Sequence, residues 1–258
     1  MSLALSLNIS RAAFAAFAGA LFALALTACG APATKHGEWL QLGSMHETIA
    51  QQQHHGRISL DELRGTPHLY GVGALAGLQG ELALIDSQSV VTTVNDEGMA
   101  QPAAEQGEAT MFVGQCVESW SRVQHPEAVP AANFDATVKA RAEQAGLDMS
   151  QPFVFMVEGT FTGVRLHVLN GACPIHARML DLEIPAAQRP FEWSGAQLKG
   201  TLVGVYAEGA VGALTHPATS VHAHLVYDDP SSGARVTAHI ERVGVGPGAH
   251  FKYPAGLH

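Results

Sequence analysis

The chain changes texture near residue 69. From there short apolar runs broken by glycine follow one another: LYGVGALAGLQGELALID, SVVTTVND, ATMFVGQCVESW, FVFMVEGTFTGVRLHVL, LKGTLVGVYA, SVHAHLVYDD and ARVTAHIERVGV. Runs of this length bounded by turn residues predict strands. Upstream, SMHETIAQQQHHGRISLDELRG predicts two short helical pieces, because Ser44 with Glu47 and Ser59 with Glu62 have capping-box spacing. A third helix is expected in NFDATVKARAEQAGL, capped by Asn133 or Asp135 and ended by Gly146. Few long helices separate the strands, so antiparallel or mixed sheets are expected rather than a doubly wound fold. YDDPSSGAR supplies turn chemistry that makes SVHAHLVY and ARVTAHIERV a hairpin, with Asp228 and Asp229 serving the turn.

The N-terminal stretch has a different pattern. Arg11 precedes AAFAAFAGALFALAL and then LTAC, the order of a secretory signal. Leu26-Thr27-Ala28-Cys29 resembles the lipobox of bacterial lipoproteins. The expectation is a signal peptide over 1–28, a lipid on Cys29, a tether over 29–43 beginning GAPATKHGEW, and residence on the periplasmic face. The membrane is then met only through that lipid, since no other stretch approaches the ~18 apolar residues of a spanning helix.

Composition narrows the partners. The leader's one charge is Arg11, so its removal takes the formal net charge from −9 to −10. An acidic chain without Lys/Arg clusters is a poor nucleic-acid binder, which leaves small molecules or proteins, with a homodimer left open as the assembly. In an exported protein Cys116 and Cys173 suit a disulfide, with two buried thiols as the alternative.

Candidate chemistry centres on histidine. His222 and His224 share one face of a strand, about 7 Å apart along the backbone. Two imidazoles at that spacing can converge on a zinc at ~2 Å each, but zinc needs a third ligand. On the returning strand His239 shares parity with Arg235 and, depending on register, lies opposite His222. Solvated strand histidines are the competing reading of such a pair.

At these residues a resemblance emerges. ELRGTPHLYGVGALAGLQGELALID, MVEGTFTGVRLHVL, LKGTLVGVYA and VHAHLVYDDPSSGARV resemble the acetolactate decarboxylases in order and spacing, over about residues 44–243. The resemblance implies a β-rich α/β fold in two domains with few helices, taken as an N-terminal sheet domain over 44–185 and a C-terminal antiparallel domain over 186–258. It also implies decarboxylation of 2-acetolactate to acetoin, without an organic cofactor, at a zinc held by three histidines. Two of those match His222 and His224, and the family's acidic residue in GLxGE matches Glu81, otherwise a surface turn residue. The third family histidine lies eleven residues after the second, where this chain has Arg235. Where the family carries an arginine near the metal, this chain has His167.

The two departures mean either decay or exchange. In an exchange His167 becomes the third zinc ligand and Arg235 the positive charge for the substrate, with Arg165 a lower-ranked rival for that charge. The leading expectation is therefore a zinc-dependent decarboxylase of acetolactate or a related 2-hydroxy-3-keto acid, with Glu81 and Arg235 catalytic and His222, His224 and His167 on the metal. The alternative is a non-catalytic, lipid-anchored small-molecule binding protein with a degenerate metal site. His216 and His176 are expected on loops without a chemical role, and His54 and His55 as a solvated connector.

Overall fold

The computed structural model describes residues 35–257, so the expected leader, Cys29 and the start of the tether lie outside the described residues. Strands β1 (Trp39–Leu42), β2 (Ile58–Ser59), β3 (Leu69–Leu75), β4 (Glu81–Ile85), β5 (Gln88–Val94), β6 (Ala100–Pro102) and β7 (Glu108–Cys116) form one sheet, ordered β1-β7-β3-β4-β5-β6 with β2 also on β7. β1 takes the last residues of the expected tether into this sheet, because Trp39–Leu42 finds a ladder along β7.

The second sheet holds β8 (Trp120–His125), β9 (Phe153–Val168), β10 (Phe191–Tyr206), β11 (Val221–Asp228), β12 (Arg235–Val245) and β13 (Ala249–Pro254), ordered β10-β11-β12-β9-β13-β8. β10 also pairs with β9, which closes β9 to β12 into a ring. Every pairing between these strands is antiparallel. The domain boundary expected after residue 185 is corrected by this ladder: β9 and β10, on either side of it, pair from Phe191↔Val168 to Tyr206↔Phe153. The change of sheet comes between β7 and β8.

Helices are short, as expected. Ser59 caps α1 (Leu60–Gly65) in a complete capping box with Glu62. Ser44 Oγ accepts from Glu47 N and donates to Glu47 Oε2, half of the same box, and the turn that follows is a π-helical one, His46–Ala50. α2 (Phe134–Gln144) has no side-chain cap from Asn133, and Asp135 instead accepts from Thr219 Oγ1 and Ser220 N. α3 (Pro174–Leu180) starts on a proline, whose missing N–H costs nothing in the first turn.

Strand alternation divides the core in two. Along β11, Ala223, Leu225 and Tyr227 point into a cluster with Phe155, Phe161 and Phe251. Val226, one residue out of phase, packs between the sheets with Tyr70, Val72 and Val113. Full burial is worth about 1.5–3 kcal/mol per large apolar side chain, and a one-residue slip of β11 would put each set into the space shaped for the other, with His222 and His224 driven into the aromatic cluster. His222 and His224 share Val226's parity and therefore face the first sheet.

Cys116 and Cys173 are not joined. Cys116 packs with Leu60, Leu69 and Phe112, and Cys173 with Ala74, Leu78 and Leu169, in separate clusters.

Candidate metal centre between the sheets

Three adjacent strands bring the histidines together. The ladder sets His224 opposite His239 on β12, and His239 opposite His167 on β9. His222 lies two residues from His224 on the same face. Ring centroids of His222 and His239 are 5.0 Å apart, those of His224 and His239 5.4 Å, and those of His167 and His239 4.8 Å. His222, His224 and His239 offer ligand nitrogens that all lie within 4.8 Å of one another.

From the facing sheet comes Glu81. Its position depends on Gly80, where φ is +148° and a Cβ would stand 2.3 Å from the Thr92 carbonyl oxygen, which leaves no room for a side chain. Glu81 Oε1 accepts from Leu169 N at 3.3 Å, and Oε2 lies 3.5 Å from His224 Nε2. Burial, only partly offset by that backbone donor, raises the Glu81 carboxyl well above the usual range and so favours its protonated form.

The imidazoles shift the other way. Burial pulls His222 down to about 3 and His216 to about 4, helped by repulsion from neighbouring histidines, and holds His224 and His239 well below their usual value. Neutral imidazole is the form that binds metal. Both ring nitrogens of His224 and Nδ1 of His222 are buried without a hydrogen-bond partner. Such orphans cost about 1–3 kcal/mol each, and a bound cation would satisfy one nitrogen of each ring. A trio of neutral imidazole nitrogens on converging strands is a donor set that would suit zinc.

His167 is held differently. Its Nδ1 lies 2.8 Å from Glu241 Oε1, and Glu241 also receives Arg178 at 2.6 Å and Arg165 Nε at 3.0 Å. Burial pushes the Glu241 carboxyl up, but the hydrogen bonds and charges of His167 and Arg178 outweigh it and leave it at about 2. His167 Nε2 then faces Glu81 Oε1 at 3.9 Å.

The structure places four of the expected residues differently. His239, rather than His167, makes the close trio with the HxH pair, since the ladder sets it directly beside His224. Arg235 is exposed and pairs in register with Asp228 at the turn, four ladder steps from His239, so it supplies no charge to the site. Arg165 is spent on Glu241 and Glu192 at the rim. His216, expected to be idle, packs edge-on to His239 at 5.2 Å and lines the same cavity. That cavity measures about 20 Å³ and has Glu81, His167, His216, His222 and His239 in its wall, with no lysine or arginine among its described residues. Glu241 was findable in sequence, since it shares His239's parity on β12. His216 was not, because its place depends on the loop that carries it.

The depressed imidazoles set a pH dependence for the metal-free protein. Folded His222 stays neutral to about pH 3, whereas the unfolded chain takes up that proton near 6.5. Stability is therefore full above 6.5 and falls on acidification toward 3, by about 1.4 kcal/mol per pH unit from His222 alone. Urea midpoints at pH 7 and pH 5 check this, and a flat profile would show that the histidines are not excluded from water.

The sequence matches the family model described as alpha-acetolactate decarboxylase over residues 41–247. No curated protein matches the chain. Among solved structures, a Staphylococcus aureus protein of unknown function described as similar to alpha-acetolactate decarboxylase shares 16% identity at a TM-score of 0.59, covering 83% of this chain and 84% of its own. Alpha-acetolactate decarboxylase from Bacillus subtilis strain 168 shares 14% identity at a TM-score of 0.60, with 83% and 85% covered. At those identities the likeness establishes a common fold.

Proposed function

The chain belongs to the alpha-acetolactate decarboxylase family, and from that premise we propose that it is a zinc-dependent decarboxylase of 2-acetolactate or a closely related 2-hydroxy-3-keto acid. The observation that carries this reading is the convergence of His222, His224 and His239 beside the buried acid Glu81.

His222, His224 and His239 would hold the ion. Bound there, it supplies Lewis acidity to the ketone oxygen on which negative charge grows as carbon dioxide leaves. The remaining steps fall to the chain's own groups. As the bond to the carboxylate carbon breaks, its electron pair forms an enolate. Glu81, kept protonated by burial, delivers its proton to the carbon that lost carbon dioxide and is left as a carboxylate, to be reprotonated from solvent before the next turnover. His167, fixed through Nδ1 by Glu241, offers Nε2 toward the cavity.

The experiment is direct. Purified protein given racemic acetolactate should release acetoin and carbon dioxide in equal amounts, lose this activity on chelation and regain it with zinc. A second reading, binding without catalysis, draws on the lack of lysine and arginine among the described residues of the cavity. Zinc-loaded protein that produces no acetoin would favour it. From the Leu26–Cys29 stretch we also propose that the protein works on the periplasmic face, tethered by a lipid.

A further inference from the structure

The histidine cavity, at about 20 Å³, has room for an ion or one water, which needs roughly 10–15 Å³, and none for an organic substrate. Directly beside it lies a pocket of about 460 Å³, within the roughly 300–1,000 Å³ usual for small-molecule sites. The two share Ile49, Leu78 and Cys173 in their walls. These three side chains form the partition.

The partition is built from strained backbone. Leu78 has φ +53°, and Gln52, just past the π-helical turn that carries Ile49, has φ +55°. Bulky side chains rarely adopt that left-handed conformation, and it persists only where the surroundings enforce it, commonly at ligand clamps and switches. The enforcing bonds come from the walls of the larger pocket: the Leu78 carbonyl accepts from Gly171 N at 2.7 Å, and Gly77 N donates to the His54 carbonyl at 2.7 Å. π-helical turns likewise recur at functional sites.

The larger pocket has its own chemistry. The amides of Gln52, Gln79 and Gln188 and the imidazoles of His54 and His176 line it, and Glu183 is its one charged side chain among the described residues. Amides both donate and accept, which suits hydroxyl and ketone oxygens. Gly171, φ +94°, lets Gln79 and Gln188 close in, since a Cβ there would stand 3.2 Å from each.

We propose that this outer pocket is the binding site for the organic ligand, a small hydroxy-ketone or hydroxy-keto acid, and that Ile49, Leu78 and Cys173 are a gate whose opening joins the pocket to the histidine cavity, so that the ligand's reacting end meets the histidines while its body stays in the outer pocket. The ligand's identity rests on the decarboxylase reading; the route does not.

Cys173 reports on the gate, because its thiol is buried between the two chambers while Cys116 lies in another cluster. The readout is the ratio of Cys173 to Cys116 labelling by N-ethylmaleimide, mapped by peptide mass spectrometry. Ala172→Trp, which fills the outer pocket, should lower that ratio about tenfold, and Leu78→Gly, which relieves the strain and removes the plug, should raise it about tenfold. Ala172→Trp should also raise KM for acetolactate about tenfold with zinc content unchanged. Unchanged labelling ratios in both variants, or an unchanged KM in Ala172→Trp, would overturn the proposal. General unfolding exposes both thiols and so also counts against it. If the wild type makes no acetoin, the labelling ratios still decide the route, and only the ligand's identity falls with the decarboxylase reading.

Discussion

His239→Ala is expected to strip zinc from the protein, while His167→Ala leaves it bound. His239 sits between the other two candidate ligands, 5.0 Å from His222 and 5.4 Å from His224 by ring centroid. Without it two imidazoles remain, and two rarely hold zinc against water. His167 already commits Nδ1 to Glu241, and its Nε2 faces Glu81. Losing it should therefore act on the site's geometry, at about the 10–100-fold cost in activity typical of residues that orient a metal site. Elemental analysis of the purified variants decides the matter. Equal zinc in wild type and His239→Ala would remove His239 from the site, and zinc lost from His167→Ala would restore His167 as a ligand. The measurement needs no substrate, so it stands whatever reaction the protein performs.

Much of this centre was legible in the residues. Period-two alternation alone sets His222 and His224 on one face, and the turn chemistry of YDDPSSGAR pairs their strand with the one that carries His239. What alternation leaves open is register. A count of eleven residues from His224 reaches Arg235, whereas the ladder runs from Asp228↔Arg235 out to His224↔His239, so the residue beside His224 is His239 and Arg235 lies at the turn. Glu81 was legible only through the GLxGE resemblance, since Gly80 before it reads equally as a surface turn, and its neighbours were not: His167 and Leu169 reach it only because the sheets stack. The first half of β10, FEWSGAQ, and the strand AHFKYP were also illegible. FEWSGAQ mixes polar residues into a ladder with β9 alone, where hydrophobic period gives little signal, whereas AHFKYP does alternate Ala249, Phe251 and Tyr253 onto the core and is only too short and too close to the C-terminal end to stand out.

Glu81→Gln should abolish most of the decarboxylase activity while leaving the fold as stable or more so. Glutamine has the shape of the protonated acid and can still accept from Leu169 N, so the contact at 3.3 Å survives. It cannot deliver a proton, and a positioned general acid contributes about 10²–10⁴ in rate. Stability moves the other way for a reason of linkage. A carboxyl raised well above 4.5 in the folded protein holds its proton where the unfolded chain has released it. The wild type is therefore most stable below pH 4.5 with respect to this group, and loses that stability as pH rises toward the folded value. The glutamine variant has no proton to lose, so its stability should decline less between pH 5 and 8 than that of the wild type, both measured without metal. Loss of activity with an unchanged pH profile of stability would mean that Glu81 is ionised in the folded protein, and its role would then be that of a base or a metal ligand rather than an acid.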